Sequence, residues 1–102
     1  MKKVVVMDGI RTPFIKFQTD FNNISAQELG RIAFRELIER NTFDPKQIDE
    51  VIVGCVGQPA EAANIARVVA LLAGVPQEVP AYTVHRNCAS GVESAAQAFM
   101  KI

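Results

Sequence analysis

The sequence is poor in the residues that build metal sites and disulfide frameworks. Its 102 residues contain two cysteines, Cys55 and Cys88, one histidine, His85, and no tryptophan. Two cysteines do not form a disulfide framework, and with one histidine they do not supply a plausible zinc site, so we expect no metal. The N-terminus is basic and then apolar, but its apolar part is too short for a signal peptide. We therefore expect a protein of a reducing, cytoplasmic compartment.

The sequence also lacks an excess of either charge and a long apolar run. Lys plus Arg and Asp plus Glu each number 11, so the formal net charge is zero. No basic block is present that would bind nucleic acid or a membrane surface, and the apolar runs are far too short to span a bilayer. Hydrophobic residues make up 49% of the chain, which is enough to build a core. The composition predicts one small globular domain.

Apolar, strand-forming runs alternate with helix patterns along the chain. The resulting β-α-β-α-β-α order is typical of an α/β fold with parallel strands. Valine-rich and aromatic runs predict the strands, and amphipathic or small-residue runs predict the helices. We predict strands over residues 3–8, 50–58 and 79–87, and helices over 24–41, 61–75 and from 88 to 102.

The ends of the first two helices are marked by local signals. Ser25 is a good N-cap, and Glu28 three residues later completes the pattern of a capping box. Gly74 stands where a helix commonly ends in the left-handed conformation. These signals predict that the first helix begins at Ser25 and that the second ends before Gly74.

Cys88 lies between a strand-forming run, VPAYTV, and a run of small residues, ASGVESAAQAFMKI. A cysteine at the end of a strand usually packs in the core, and this interpretation suits Cys55 within VIVGCV. At a helix N-terminus, however, unpaired N–H groups and the helix dipole favour a thiolate and can hold an oxyanion. The residues alone support a packing role and a nucleophilic role for Cys88 about equally.

The predicted third helix carries small residues on all its sides. Such a helix usually packs closely against several neighbours, and 102 residues can hardly surround it. We therefore expect a covering partner, either further chain or another subunit. The sequence ends within this helix without a C-terminal cap, which suggests the front part of a longer protein.

Segments along nearly the whole chain resemble the thiolases. VPAYTVHRNCASGVESAAQAF looks like the segment that carries their nucleophilic cysteine. VVVMDGIRTPFIKF resembles their N-terminal strand and Arg-Thr-Pro loop, and ISAQELGRIAFRELIERNTFDPKQIDEVIVGCV and NIARVVALLAGVPQEVPAYTV resemble the segments between. His85 stands where the family usually has Asn, Ser or Thr, a departure that bears on subfamily more than on activity.

This resemblance implies a fold of two similar halves, each a mixed five-stranded sheet between helices. Residues 1–102 would form the first β-α-β-α-β-α portion of the N-terminal half, with α/β/α layers, and would be a truncated N-terminal thiolase domain. In that fold, the fourth and fifth strands separate the first strand from the second. The missing second half carries the family's catalytic histidine and second cysteine, so we expect the 102 residues alone to be inactive.

The resemblance also implies an activity. It implies an acetyl-CoA acetyltransferase or 3-ketoacyl-CoA thiolase that would work by ping-pong steps through an acyl-Cys88 thioester, with the backbone N–H of Cys88 as an oxyanion donor. It implies coenzyme A and acyl-CoA as substrates, no permanently bound cofactor, a role in fatty acid metabolism, and a homodimer or homotetramer. Two alternatives remain open: a ketoacyl-synthase-like condensing enzyme, against which the Arg-Thr-Pro opening argues, and a non-catalytic α/β interaction fragment.

Other polar and sulfur side chains have simpler interpretations. His85 is not suited to be the base for Cys88, because residues three apart on a strand point to opposite faces. It is better explained as a polar residue at a strand end or an interface. We expect Arg11 to be a loop arginine held by backbone carbonyls. Asn64 and Arg67 of the second helix should have structural roles, and Met7 and Met100 should fill the core.

Overall fold

The computed structural model describes residues 2–102 as three α-helices and two parallel strands. Short 3-10 helices, Pro45–Gln47 and Ala60–Ala62, precede the first strand and the second α-helix. None of the helices formed by residues 2–102 combines the length and the apolar character needed to cross a membrane. In chain order the main elements are α1 (Ala26–Arg40), β1 (Val51–Gly54), α2 (Ile65–Leu72), β2 (Ala81–Val84) and α3 (Ser90–Lys101).

The two strands pair in parallel, with α2 as the crossover between them. Val51 lies opposite Ala81, and Gly54 lies opposite Val84. A parallel pair needs such a crossover, because its two strands must start from the same end of the sheet. The carboxyl ends of β1 and β2 therefore lie side by side, and the segments that follow them leave the sheet at one edge.

Helices cover both faces of this small sheet. Val51 packs in a buried cluster with Ile38 of α1 and Ala70 of α2. Gly54 instead faces α3, whose backbone lies directly against it. Because successive residues of a strand point to opposite faces, α2 and α3 lie on opposite sides of the sheet. The expected α/β class with α/β/α layers is confirmed.

Small residues let α1, α2 and the sheet approach closely. Ala66, Ala70 and Ala73 of the α2 region have no exposed surface. Gly30 of α1 faces Val69 of α2, where an added Cβ atom would lie 2.7 Å from a methyl carbon of the valine. The core is thus centred on α2 and on the face of the sheet that α2 covers.

The predicted strand over residues 3–8 is wrong. These residues form no strand, and within residues 2–102 β1 and β2 pair only with each other. Val6 is 92% exposed and Met7 is 81% exposed, so Met7 does not fill the core, and neither does Met100 at 70%. The apolar run suits a strand, but its backbone groups need a partner strand. The observed order of elements is therefore α-β-α-β-α.

The other predicted elements exist with shorter bounds. The helix expected over 24–41 is confirmed, and the helix over 61–75 divides into a 3-10 helix and α2. The strands expected over 50–58 and 79–87 contract to four residues each, and the third helix starts at Ser90. The ends contract because each strand is paired only where its neighbour runs beside it.

The helix-end predictions are confirmed except for one contact. The Glu28 N–H donates to Ser25 Oγ at 3.2 Å. The Glu28 carboxylate does not complete the capping box, because it accepts from Arg31 at 2.6 Å and 2.9 Å. Gly74 has φ +93° and ends α2, with hydrogen bonds from Gly74 and the next residue back to the last turn.

Candidate active site

Cys88 lies in a tight turn between β2 and α3. The strand ends at Val84, the helix begins at Ser90, and Cys88 is exposed two residues ahead of the helix. Asn87 has φ +46°, a left-handed conformation that asparagine adopts more readily than most residues. The predicted strand-to-helix connection is therefore present, with the thiol on its outer surface.

The hydroxyl group of Ser90 closes this turn from inside. The Arg86 N–H donates to Ser90 Oγ at 2.8 Å, and Ser90 Oγ donates to the carbonyl oxygen of Asn87 at 2.7 Å. The Ala89 N–H donates to the carbonyl oxygen of Arg86 at 3.0 Å. Ser90 is only 4% exposed, whereas the residues it binds lie on the surface. Cys88 thus lies at the outer apex of a turn with a buried hydroxyl at its base.

The backbone N–H of Cys88 takes no part in closing the turn. The hydrogen bonds of the turn come from the N–H groups of Arg86, Asn87, Ala89 and Ser90. Ala89 occupies the N-cap of α3 and has no side-chain oxygen to cap the helix. Cys88 therefore carries an exposed thiol and a backbone N–H that is not used in the turn, just ahead of an uncapped helix terminus, and these are groups that suit a nucleophile and an oxyanion donor.

Gly54 fixes the position of α3 over the end of β1. A Cβ atom on Gly54 would lie 2.2 Å from the carbonyl oxygen of Ser90 and 2.7 Å from the nitrogen of Gly91. Only glycine allows this approach. The sequence interpretation missed this role, although a glycine within the strand run VIVGCV is a recognised sign that another backbone comes close.

A chain of polar side chains joins α3 to β2. Arg86 binds the carboxylate of Glu93, Gln97 donates to Glu93 at 2.9 Å, and Tyr82 OH donates to Gln97 at 2.6 Å. The hydrogen bond from Gln97, and then that from Arg86, lowers the pKa of Glu93 below its ordinary value. The sequence interpretation also missed this network, whose only local signal is the i,i+4 spacing of Glu93 and Gln97.

His85 has a role within the turn. The side chain is exposed, and its Nδ1 accepts the Asn87 N–H at 3.1 Å. This agrees with the interpretation of His85 as a polar residue at the strand end.

Cys55 differs from Cys88 in its setting. It is half-buried just beyond β1, and its N–H donates to the carbonyl oxygen of Val84 at 3.0 Å. Both thiols are free. Among residues 2–102, no group of three or more His, Cys, Asp or Glu side chains could hold a metal ion.

The remaining polar residues singled out in the sequence make structural contacts. Arg11 donates to the carbonyl oxygen of Thr12 at 3.3 Å, as expected for a loop arginine. The side chain of Asn64 donates to the carbonyl oxygen of Ala81 at 3.1 Å and so joins the start of α2 to β2. Arg67 donates to the carbonyl oxygen of Gln77 at 3.3 Å. These contacts agree with the structural roles predicted for the three residues, which stay predictions.

Comparison with known proteins gives a consistent answer. The family model described as thiolase, N-terminal domain, matches residues 4–102. A probable acetyl-CoA acyltransferase of Staphylococcus epidermidis is 38% identical over 102 residues, which is 100% of this chain and 26% of that protein. A beta-ketoadipyl-CoA thiolase of Acinetobacter baylyi is 44% identical over 100 residues, covering 96% of this chain and 25% of that protein.

A solved structure supports the same assignment. The crystal structure of the Bacillus anthracis acetyl-CoA acetyltransferase matches with a TM-score of 0.76 and 37% identity, over 81% of this chain and 21% of that chain. The chain spans about a quarter of the length of the curated relatives it matches. With the family model covering nearly all of its residues, the chain belongs to the thiolase family.

Proposed function

We propose that the full-length protein carrying this chain is a thiolase-type acyltransferase, an acetyl-CoA acetyltransferase or 3-ketoacyl-CoA thiolase. The observation that carries the proposal is the exposed Cys88 in the turn ahead of α3. Membership of the thiolase family supports a nucleophilic role for that thiol. The family match also leaves the ketoacyl-synthase-like alternative without support.

The proposed reaction is acyl transfer through Cys88. The thiolate attacks the thioester carbonyl carbon of an acyl-CoA, and the carbonyl electrons move to oxygen to give a tetrahedral oxyanion. The Cys88 N–H donates to that oxyanion. The intermediate collapses as the coenzyme A thiolate leaves, so the acyl group remains on Cys88 as a thioester. In this synthetic direction the carbanion of a second acetyl-CoA then accepts the acyl group from Cys88. In thiolysis the thiolate instead attacks the 3-keto carbon of a 3-ketoacyl-CoA, the bond between C2 and C3 breaks, and the acetyl-CoA carbanion leaves and takes up a proton. Coenzyme A then accepts the acyl group from Cys88.

On this proposal, the groups that move protons lie outside residues 1–102. The single histidine of the chain binds the backbone of its own turn through Nδ1, as described above. Residues 1–102 then act as part of an N-terminal thiolase domain and are inactive alone. The same proposal assigns coenzyme A thioesters as substrates, with no permanently bound cofactor.

Three further observations support the remaining parts of the proposal, which concern the substrate class, the assembly and the compartment. The names of the relatives, which refer to acetyl-CoA and beta-ketoadipyl-CoA, support coenzyme A thioesters as the substrate class. A role in fatty acid metabolism is a further part of the proposal. Val92 of α3 is 75% exposed, which supports a cover over this helix by further chain or by another subunit. The proposed assembly is a homodimer or homotetramer. The two free thiols support a reducing, cytoplasmic compartment.

A thiolysis assay of the full-length protein tests the proposed function. Cleavage of acetoacetyl-CoA by coenzyme A is followed for the wild type, for Cys88→Ala and for the matched control Cys55→Ala. We expect Cys88→Ala to lose turnover and Cys55→Ala to keep it, because Cys55 is half-buried outside the turn. Turnover near the wild-type rate in Cys88→Ala would remove Cys88 from the nucleophilic role. No turnover in the wild type would favour a non-catalytic α/β interaction module.

A further inference from the structure

We propose that Ser90 is a positioning residue for Cys88, holding the turn that carries the thiol in one conformation. The inference rests on the proposed function, since it concerns the nucleophile assigned there. Ser90 itself touches no reacting atom. It acts through the backbone of Arg86 and Asn87, the two residues that precede Cys88.

Ser90 Oγ acts both as a hydrogen-bond acceptor and as a hydrogen-bond donor. It accepts from the Arg86 N–H and donates to the carbonyl oxygen of Asn87. At 4% exposure, Ser90 leaves little room for water to replace the hydroxyl group. Removing that group would leave the Arg86 N–H without its partner, and the Asn87 carbonyl oxygen would keep only the Ser90 N–H, at 3.2 Å. The Arg86 N–H belongs to the peptide unit that joins His85 to Arg86, and the Asn87 carbonyl group belongs to the unit that joins Asn87 to Cys88.

The backbone of Asn87 explains why the turn needs to be held. Asn87 has φ +46° without being glycine, a conformation that asparagine tolerates at some cost in strain and that contacts of the turn help to hold. Ser90 Oγ binds the carbonyl group of this residue, which belongs to the same peptide unit as the Cys88 N–H. Rotation of that peptide unit would therefore move the proposed oxyanion donor.

The other side of Ser90 is fixed as well. Its carbonyl group packs against Gly54, where even one added carbon atom would lie 2.2 Å from the Ser90 oxygen. The first turn of α3 therefore has no space to follow a relaxing loop toward β1. If the hydroxyl group is lost, we therefore expect the backbone of residues 86–88 to change its conformation. That change would displace the thiol and the N–H of Cys88.

The test uses the full-length protein with three substitutions. Ser90→Ala removes the hydroxyl group, Ser90→Thr retains it, and Ser94→Ala is the matched control. Ser94 lies one turn further along α3, and its Oγ donates to the carbonyl oxygen of Gly91, outside the Cys88 turn. The readouts are kcat and KM of thiolysis and the rate of Cys88 alkylation by iodoacetamide, with Cys55 as the internal reference.

We expect Ser90→Ala to lower kcat by about 100-fold with KM nearly unchanged, because small displacements of reacting groups cost about that factor. Its Cys88 alkylation rate should also change relative to that of Cys55. Ser90→Thr should recover most of kcat, and Ser94→Ala should match the wild type. A Ser90→Ala protein with wild-type kcat and alkylation rate would overturn the proposal, as would a Ser90→Thr protein no better than Ser90→Ala.

Hydrogen exchange of the wild-type protein gives a test that needs no variant. The Arg86 amide, bonded to a buried hydroxyl, should exchange much more slowly than the Cys88 amide. Equal exchange rates would overturn the role of Ser90, even if Ser90→Ala does not fold. Failure of the proposed function can be told apart from failure of this proposal. A wild-type protein without thiolysis would contradict the proposed function, while hydrogen exchange and alkylation would still test the role of Ser90.

Discussion

Gly54 of β1 and Ser90 of α3 are in backbone contact at the carboxyl end of the sheet. The place of a Cβ atom on Gly54 is only 2.2 Å from the Ser90 carbonyl oxygen. This contact sets the first turn of α3 against the end of β1, while Ser90 Oγ closes the turn that carries Cys88. The same pair of residues therefore contributes both to the packing of α3 on the sheet and to the geometry of the candidate site.

Gly54→Ala should destabilise the protein by about 1–3 kcal/mol, the usual range for an overpacked site. The backbone of Ser90 cannot move aside as a flexible side chain could. Gly91→Ala is the matched control, because nothing lies within 4 Å of a Cβ atom placed there. That control should have wild-type stability or gain up to about 1 kcal/mol. Urea denaturation measures both, and a Gly54→Ala protein of wild-type stability would contradict the contact.

Ser25→Ala should destabilise the protein by about 1 kcal/mol, because Ser25 Oγ accepts the Glu28 N–H at the start of α1. The same substitution inside a helix, Ser94→Ala, should instead be neutral or stabilise by a few tenths, roughly the difference in helix propensity. Denaturation midpoints compare the two. An unchanged midpoint for Ser25→Ala would show that the cap contributes nothing to stability.

Acid should weaken the fold through Glu28 and Glu93. Hydrogen bonds, from Arg31 to Glu28 and from Gln97 and Arg86 to Glu93, lower both pKa values from an ordinary 4.5. A lowered pKa in the folded state adds stability that is present above pH 4.5 and is lost as the pH falls through the lowered value. The free energy of unfolding, measured across this range, should fall with pH. In the Glu93→Gln variant the free energy of unfolding should fall less steeply as the pH is lowered. A slope identical to that of the wild type would contradict the role of Glu93.

The purified 102-residue chain should self-associate. Phe99 and Met100 near the end of α3 are 54% and 70% exposed. An open apolar groove of about 420 Å³ also runs along β1 and is lined by Phe34, Val53 and Cys55 among others. Exposed apolar surface of this kind drives association. Light scattering should show oligomers for the wild-type chain and smaller oligomers for the double variant that carries both Phe99→Asp and Met100→Asp. A monodisperse wild-type monomer would contradict the expectation.

Local signals predicted the parts of the fold that are locally determined. Ser25 marks the start of α1 and Gly74 the end of α2, because capping depends on residues within a few positions. The predicted strand over residues 3–8 was wrong for the opposite reason, since strand pairing depends on a partner strand that is often far away in the sequence. Valine content alone does not supply that partner.

The candidate site was predictable to a similar extent. The position of Cys88 between a strand and a helix follows from the pattern of residues on either side. The contribution of Ser90 depends on a turn in which Asn87 is left-handed, and that of Gly54 depends on a distant helix packing on its strand. Those contacts join residues whose spacing in the sequence carries no distinctive pattern.

Trapping of the acyl-enzyme tests the central claim, that Cys88 accepts the acyl group, most directly. The full-length protein is mixed briefly with acetyl-CoA, freed of small molecules and examined by intact mass and peptide mapping. The prediction is a single acetyl group on the Cys88 peptide, lost on addition of coenzyme A, present in Cys55→Ala and absent in Cys88→Ala. An acetyl group on Cys55, or no acetyl group on Cys88, would contradict it.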